Sequence, residues 1–220
     1  MDENADGTSV RWELFTSHVL DGNPLGDPVT RRLPVLLPPG YDADSDRRYP
    51  VIYGLTGYTG RGEMLLHVRP WNLDLPARLE RLYASGMPPA IVVLPDCFTR
   101  FGGSQYVNAS ATGRYEEYLT QELVPFIDGR YRTIADRSGR GVFGKSSGGY
   151  GALIMGMRHA DLFGAIACHS GDSAFNRPAD SRVRAVPQSV RIRSRGEWPP
   201  RRSGRSRAWQ ANSRAWPPEP

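Results

Sequence analysis

At 220 residues the chain is long enough for one domain with a substantial core and short for two. Hydrophobic residues make up only 39%, and the deficit is local: residues 177–220 contain no Leu, Met, Phe or Tyr and carry 11 Arg against Asp180, Glu197 and Glu219. That stretch has a net charge of +8 in a chain of +5, so residues 1–176 stand at −3, which argues against a broad basic nucleic-acid-binding face on the body of the protein.

The N-terminal stretch, Met1 to Val10, is polar and acidic, with neither a basic nor an apolar region of the kind a signal peptide needs. Alternation over 10–18 predicts a first strand, and the Gly, Pro, Asn and Asp cluster from Asp21 to Asp27 predicts a turn. A second strand is expected over 29–37, closed by Pro38-Pro39-Gly40, then a solvated loop from Asp42 to Arg48. Pro50 to Leu55 reads as a short buried strand opening into the glycine-rich loop Thr56-Gly57-Tyr58-Thr59-Gly60.

Leu75 to Ser85 has helical spacing, with Leu75, Leu79, Leu82 and Tyr83 on one face. Ala90 to Pro95 is an apolar run of the kind a parallel sheet buries on both faces. Arg114 to Ile127 predicts one amphipathic helix, its apolar face made by Tyr115, Tyr118, Leu119, Leu123 and Phe126. A strand over Gly141–Gly144, a helix from Tyr150 to His159 and a strand from Phe163 to His169 follow. After the first two strands, strands and helices alternate, which predicts an α/β fold: a mostly parallel sheet with helices on both faces.

Gly144-Lys145-Ser146-Ser147-Gly148 fits G-x-S-x-G, and a predicted strand and helix flank it as that motif requires. The spacing is steric: flanking glycines let strand and helix pass closely while the serine stands at the tip of a strained turn. Ser146 is therefore the candidate nucleophile. The N–H of Ser147, at the start of the following helix, is a candidate oxyanion donor. The second donor is expected in the loop after the third strand, at the N–H of Tyr58. A surface loop and a chemically silent Gly/Ser turn are the plainer readings of these two segments.

Leu37-Pro38-Pro39-Gly40-Tyr41-Asp42, Tyr49-Pro50-Val51-Ile52-Tyr53, Gly144 through Leu153, Asp161-Leu162-Phe163-Gly164-Ala165 and His169-Ser170-Gly171-Asp172 together resemble the putative-esterase family of α/β-hydrolases over about residues 10–176. That family includes esterase D (S-formylglutathione hydrolase), enterochelin and feruloyl esterases, and mycolyltransferases. The resemblance implies an α/β-hydrolase fold, a serine nucleophile at Ser146, an oxyanion hole from Tyr58 and Ser147, ester or thioester substrates, and no metal or organic cofactor. Thr56 departs from the pattern, since many relatives place His before the glycine.

The chemistry needs a base for the serine and an acid to orient that base, in the chain order serine, acid, histidine. No histidine follows His169. His18 reads as a surface residue, His159 as a helix C-terminal cation and His169 as a hydrogen-bonded structural residue. His67, after the glycine loop, is the one histidine expected near the cleft, and Asp172 is either a triad acid in a variant arrangement or a loop cap. Domain organisation is expected to be an incomplete esterase domain over 1–176, lacking the last strands, and a disordered Arg/Pro-rich tail over 177–220. A truncation or frame disruption near Phe175 would account for the abrupt change in composition.

The expected partner is a small-molecule ester or thioester. The competing functions are a non-catalytic esterase-like binding protein and, behind it, nucleic-acid binding by the Arg-rich tail with its interleaved Trp198, Trp209 and Trp216. No segment reaches the roughly 18–20 apolar residues of a membrane span, so no membrane partner is expected and the cytoplasm is the expected compartment.

Overall fold

A computed structural model describes residues 7–68 and 70–172, together with the backbone of 190–191. The tail outside 190–191 lies beyond the described residues, and with it the expectations of disorder and of missing strands.

Strands β1 (Ser9–Thr16) and β2 (Thr30–Leu37) form an antiparallel pair, and β2 runs antiparallel to β4 (Ile91–Val93). Strand β3 (Val51–Leu55) is parallel to β4 on one side and to β9 (Arg140–Lys145) on the other. Strand β10 (Ala165–His169) extends the parallel set beyond β9, and β11 (Val190–Arg191) pairs antiparallel with β10. The sheet order is therefore β1-β2-β4-β3-β9-β10-β11. Two small hairpins, β5–β6 (Phe98–Thr99 with Gly102–Gly103) and β7–β8 (Asn108–Ala109 with Gly113–Arg114), lie in the connection after β4. The mostly parallel α/β architecture expected from the alternation is present.

Helix α1 (Leu75–Ala84) carries the chain from β3 to β4, and α4 (Ser147–Arg158) carries it from β9 to β10. These crossovers move in opposite directions along the sheet, so a common handedness puts the two helices on opposite faces. The core follows suit. Val35, Leu37, Val51, Tyr53, Val93 and Val142 belong to the larger cluster, with Ala152 and Met155 of α4. Their strand neighbours Leu36 and Val92 join Leu79 of α1 in the smaller one. A period of two in the strands thus feeds two cores, one under each helix. Beyond α1, an apolar groove of about 410 Å³ runs along Ile52, Phe143 and Ala165–Ala167.

Two elements differ from the periodic reading. Leu82, assigned to the apolar face of α1, is 46% exposed, while Leu79 is buried and Leu75 and Tyr83 only pack at the edge of the smaller cluster. The single helix expected from Arg114 is three segments: α2 (Tyr115–Glu117), a π-helical stretch Tyr118–Leu123, and α3 (Val124–Arg130). Pro125 in α3 lacks the N–H that a continuous α-helix would need, and the wider π turn just before it accommodates the break. The expected apolar face survives it: Tyr115, Tyr118, Leu119 and Leu123 are all buried.

The start of β9 is anchored by an ion pair. Arg140, nearly fully buried, donates through Nη2 to Asp128 Oδ2 at 2.5 Å and through Nη1 to the carbonyl of Leu162 at 2.9 Å. Asp128 also accepts from the Thr133 hydroxyl at 2.7 Å. Removing one partner of a buried pair leaves a charge uncompensated in low dielectric. Asp128→Ala should therefore cost about 3–5 kcal/mol in urea unfolding. An unfolding midpoint like that of the parent would refute this role.

Candidate active site

Sheet order reverses direction between β3 and β9, because the crossover from β3 leads one way to β4 and that from β9 leads the other way to β10. In open α/β sheets such a point leaves a crevice beyond the carboxyl ends of the two strands. The glycine loop leaves β3 there, and Ser146 leaves β9 there.

Ser146 is the single residue between β9 and α4, with φ 56° and ψ −123°. Positive φ in a serine is a strained conformation, worth on the order of 1–3 kcal/mol, and persists only where the surroundings dictate it. Here they do. A Cβ on Gly144 would collide with the backbone of Gly148, and a Cβ on Gly148 would collide with the carbonyl of Leu55 at the end of β3. The strand, the helix and the neighbouring strand are packed backbone to backbone. The N–H of Ser146 donates to the carbonyl of His169 at 3.0 Å, which ties the turn to β10.

The Ser146 side chain is half-buried and its hydroxyl donates to Asp172 Oδ1 at 3.2 Å. The buried Ser147 hydroxyl donates to Asp172 Oδ2 at 2.9 Å. The N–H of Asp172 also reaches the Ser146 carbonyl, at 3.4 Å. One carboxylate therefore bridges the two serines while its backbone closes the loop after β10. Ser147 opens α4, so its own N–H has no intrahelical acceptor and faces the helix's positive end.

The glycine loop faces this turn. A methyl group built on Gly57 would stand 3.8 Å from the Ser146 Cβ, in ordinary contact. Gly60 N–H donates to Gly57 O at 2.9 Å, which folds Tyr58 and Thr59 into a tight turn. The N–H of Tyr58 has no acceptor among the described residues, and the Tyr58 ring lies over Gly102 and Gly103.

Thr56 stabilises the loop by a route the sequence did not reveal. Its hydroxyl donates to Gly60 O at 2.9 Å, and its carbonyl accepts from the Tyr106 hydroxyl at 2.7 Å. Tyr106 is buried, with φ 60°, beside Gln105 at φ 55°. It is fifty residues from Thr56, and no local pattern connects the two. Cys97 lies in the same neighbourhood, but burial pushes its thiol pKa well up, so it is protonated and no rival nucleophile.

The histidines are elsewhere. His67 is exposed in a separate cleft with Asn72, Asp74 and Arg78, and makes no hydrogen bond to Ser146. His159 caps α4 and its Nε2 lies 2.8 Å from Glu116 Oε1, beside Arg158 on the same carboxylate. His18 is exposed. His169, expected to be a hydrogen-bonded structural residue, presents an exposed side chain, and its backbone carbonyl does the bonding. Among the described residues no three His, Cys, Asp or Glu side chains gather as metal ligands, and no helix is long and apolar enough to cross a membrane.

Comparison with known proteins places this geometry in context. The family model described as Putative esterase matches residues 28–216. An esterase of Mycobacterium tuberculosis is 30% identical over 182 residues, covering 80% of this chain and 35% of the relative. An endo-1,4-beta-xylanase/feruloyl esterase of Xylanibacter ruminicola is 32% identical over 146 residues, covering 62% of this chain and 19% of the relative. A solved ferulic acid esterase superposes with a TM-score of 0.62 at 27% identity, over 76% of this chain and 61% of that one. The chain thus spans about a third or less of the curated relatives it matches.

The close packing at the turn makes a direct prediction. Gly148→Ala forces a methyl into the Leu55 carbonyl and should lower stability by about 3 kcal/mol. Urea unfolding measures it, and an unchanged midpoint would mean the turn is looser than described.

Proposed function

Because the chain belongs to the putative-esterase family and has its α/β-hydrolase fold, we propose that it hydrolyses carboxylic esters or thioesters through an acyl-enzyme on Ser146. The observation that carries this reading is the strained φ of Ser146 at a strand-to-helix turn, with its hydroxyl on a carboxylate and its Cβ beside the glycine loop. The serine oxygen attacks the acyl carbon, the carbonyl oxygen takes up negative charge, and the N–H groups of Ser147 and Tyr58 receive that charge. The Ser146 proton passes through solvent water to the departing alcohol or thiol, and a second water then attacks the acyl-enzyme, releases the acid and restores the hydroxyl.

Asp172 is the titratable side chain bonded to Ser146. Its proposed role is to hold both serine hydroxyls in place, since an imidazole is the usual proton acceptor at neutral pH. With no histidine on Ser146, attack by its hydroxyl is slow and is aided by the oxyanion donors and by binding. The same observation favours a second reading, a protein that binds esters without turning them over.

Nitrophenyl acetate hydrolysis and fluorophosphonate labelling test the proposal. Ser146→Ala should abolish both, and Asp172→Ala should slow both by roughly tenfold or more, about the worth of one hydrogen bond to a charged group. Equal rates in the parent and Ser146→Ala would reject catalysis by Ser146. Saturable ester binding without acid release would favour the binding protein.

A further inference from the structure

A second cleft, about 310 Å³, opens beyond the carboxyl ends of β3 and β4. It borders the end of the glycine loop at Arg61, one residue after Gly60. Its lining carries four arginines against three carboxylates.

Most of these charges are already matched. Arg31, at the start of β2, is 4% exposed in its side chain and forms the floor. It donates to the carbonyl of Phe98 at 2.9 Å and to the Tyr115 hydroxyl at 2.6 Å, with Asp96 3.5 Å away. Its Nε–H has no acceptor among the described residues. Arg32 pairs with Glu63 at 3.3 Å on the rim. Asp27 accepts from the backbone N–H of Arg100 at 3.1 Å.

Two guanidinium groups are left over. Arg61 stacks on the Phe98 ring, 4.6 Å from its centroid, and Arg100 sits at the tip of the β5–β6 hairpin. Neither has a carboxylate partner among the described residues. Stacking on Phe98 directs the Arg61 side chain across the cleft at little cost in hydration, because guanidinium is weakly hydrated on its faces.

We infer that this cleft binds a small carboxylate, held by the guanidinium forks of Arg61 and Arg100 over the buried Arg31. The excess of one positive charge suits a monoanion. Planar forks suit a planar carboxylate, to which each can donate two parallel hydrogen bonds. The carboxylate comes either from a free acid or from an ester that carries one. Only the second source rests on the esterase reading.

Amide NMR titration with benzoate at low salt tests the site without any need for catalysis. Saturable shifts are expected around 27–32, 61–63 and 96–100, weakening as salt screens the charges and unchanged by Ser146→Ala. The double variant Arg61→Gln/Arg100→Gln should bind about tenfold or more weakly, the worth of one charge-assisted hydrogen bond. Both side chains are exposed, so the fold should survive, as circular dichroism would verify. Equal affinity in the double variant, or identical shifts with neutral benzamide, would overturn the site. In a parallel assay, kcat/KM for a nitrophenyl hemisuccinate is compared with that for the neutral butyrate. A preference for the hemisuccinate that the double variant loses assigns the carboxylate to the substrate. No preference, with benzoate binding retained, assigns it to a free acid.

Discussion

The backbone contact between Gly144, Gly148 and the end of β3 is the constraint on which the rest of this molecule depends. Three backbones meet there with no room for a Cβ. That contact keeps α4 tight against β9 and β3, holds Ser146 at positive φ, and brings the N-terminus of the helix to the crevice. The strain at Ser146 is sustained because the helix packs Ala152 and Met155 into the larger core. Burying such apolar side chains contributes about 1.5–3 kcal/mol each for the large ones, enough to offset one strained residue.

The loops that surround the turn are held by polar bonds as well as by the packing of Tyr106 into the larger core. Asp172 joins the two serines, and Thr56 and Tyr106 close the glycine loop. The Thr56–Gly60 bond is local, but those of Asp172 and Tyr106 join residues distant in the chain and depend on the sheet having brought the strand ends together. Thr56 shows how a departure from a family pattern can be absorbed: its hydroxyl closes the turn on Gly60, so the Tyr58 N–H stays unspent. The second cleft draws on the continuation of the loops after β3 and β4 and on residues 27–32, and shares with the serine site its position beyond the strand ends.

Strands and helices of the body were legible because burial imposes a period on the sequence. The alternating residues of β2 and β4 serve two cores, and Ile91–Val93 reads as a continuous apolar run because both faces are covered. Errors arose where one residue changed the local rule. Pro125 divided a helix whose apolar spacing was otherwise sound, and Leu82 stays 46% exposed although Leu79 and Tyr83 on either side of it pack on the smaller core.

The sequence by itself determined the α/β class, the position of the turn and the identity of the residue at its tip, since these follow from short-range patterns: alternation, helical spacing and glycines at fixed offsets. Only the tertiary structure decided which side chains surround Ser146. It brought Asp172 to the hydroxyl, placed His67 in another cleft, set Tyr106 on Thr56 and gathered arginines from three segments around Arg31. Side-chain partnerships across tens of residues leave no periodic trace. They come into being when parallel strands place their carboxyl ends, and the loops that follow them, along one edge of the sheet.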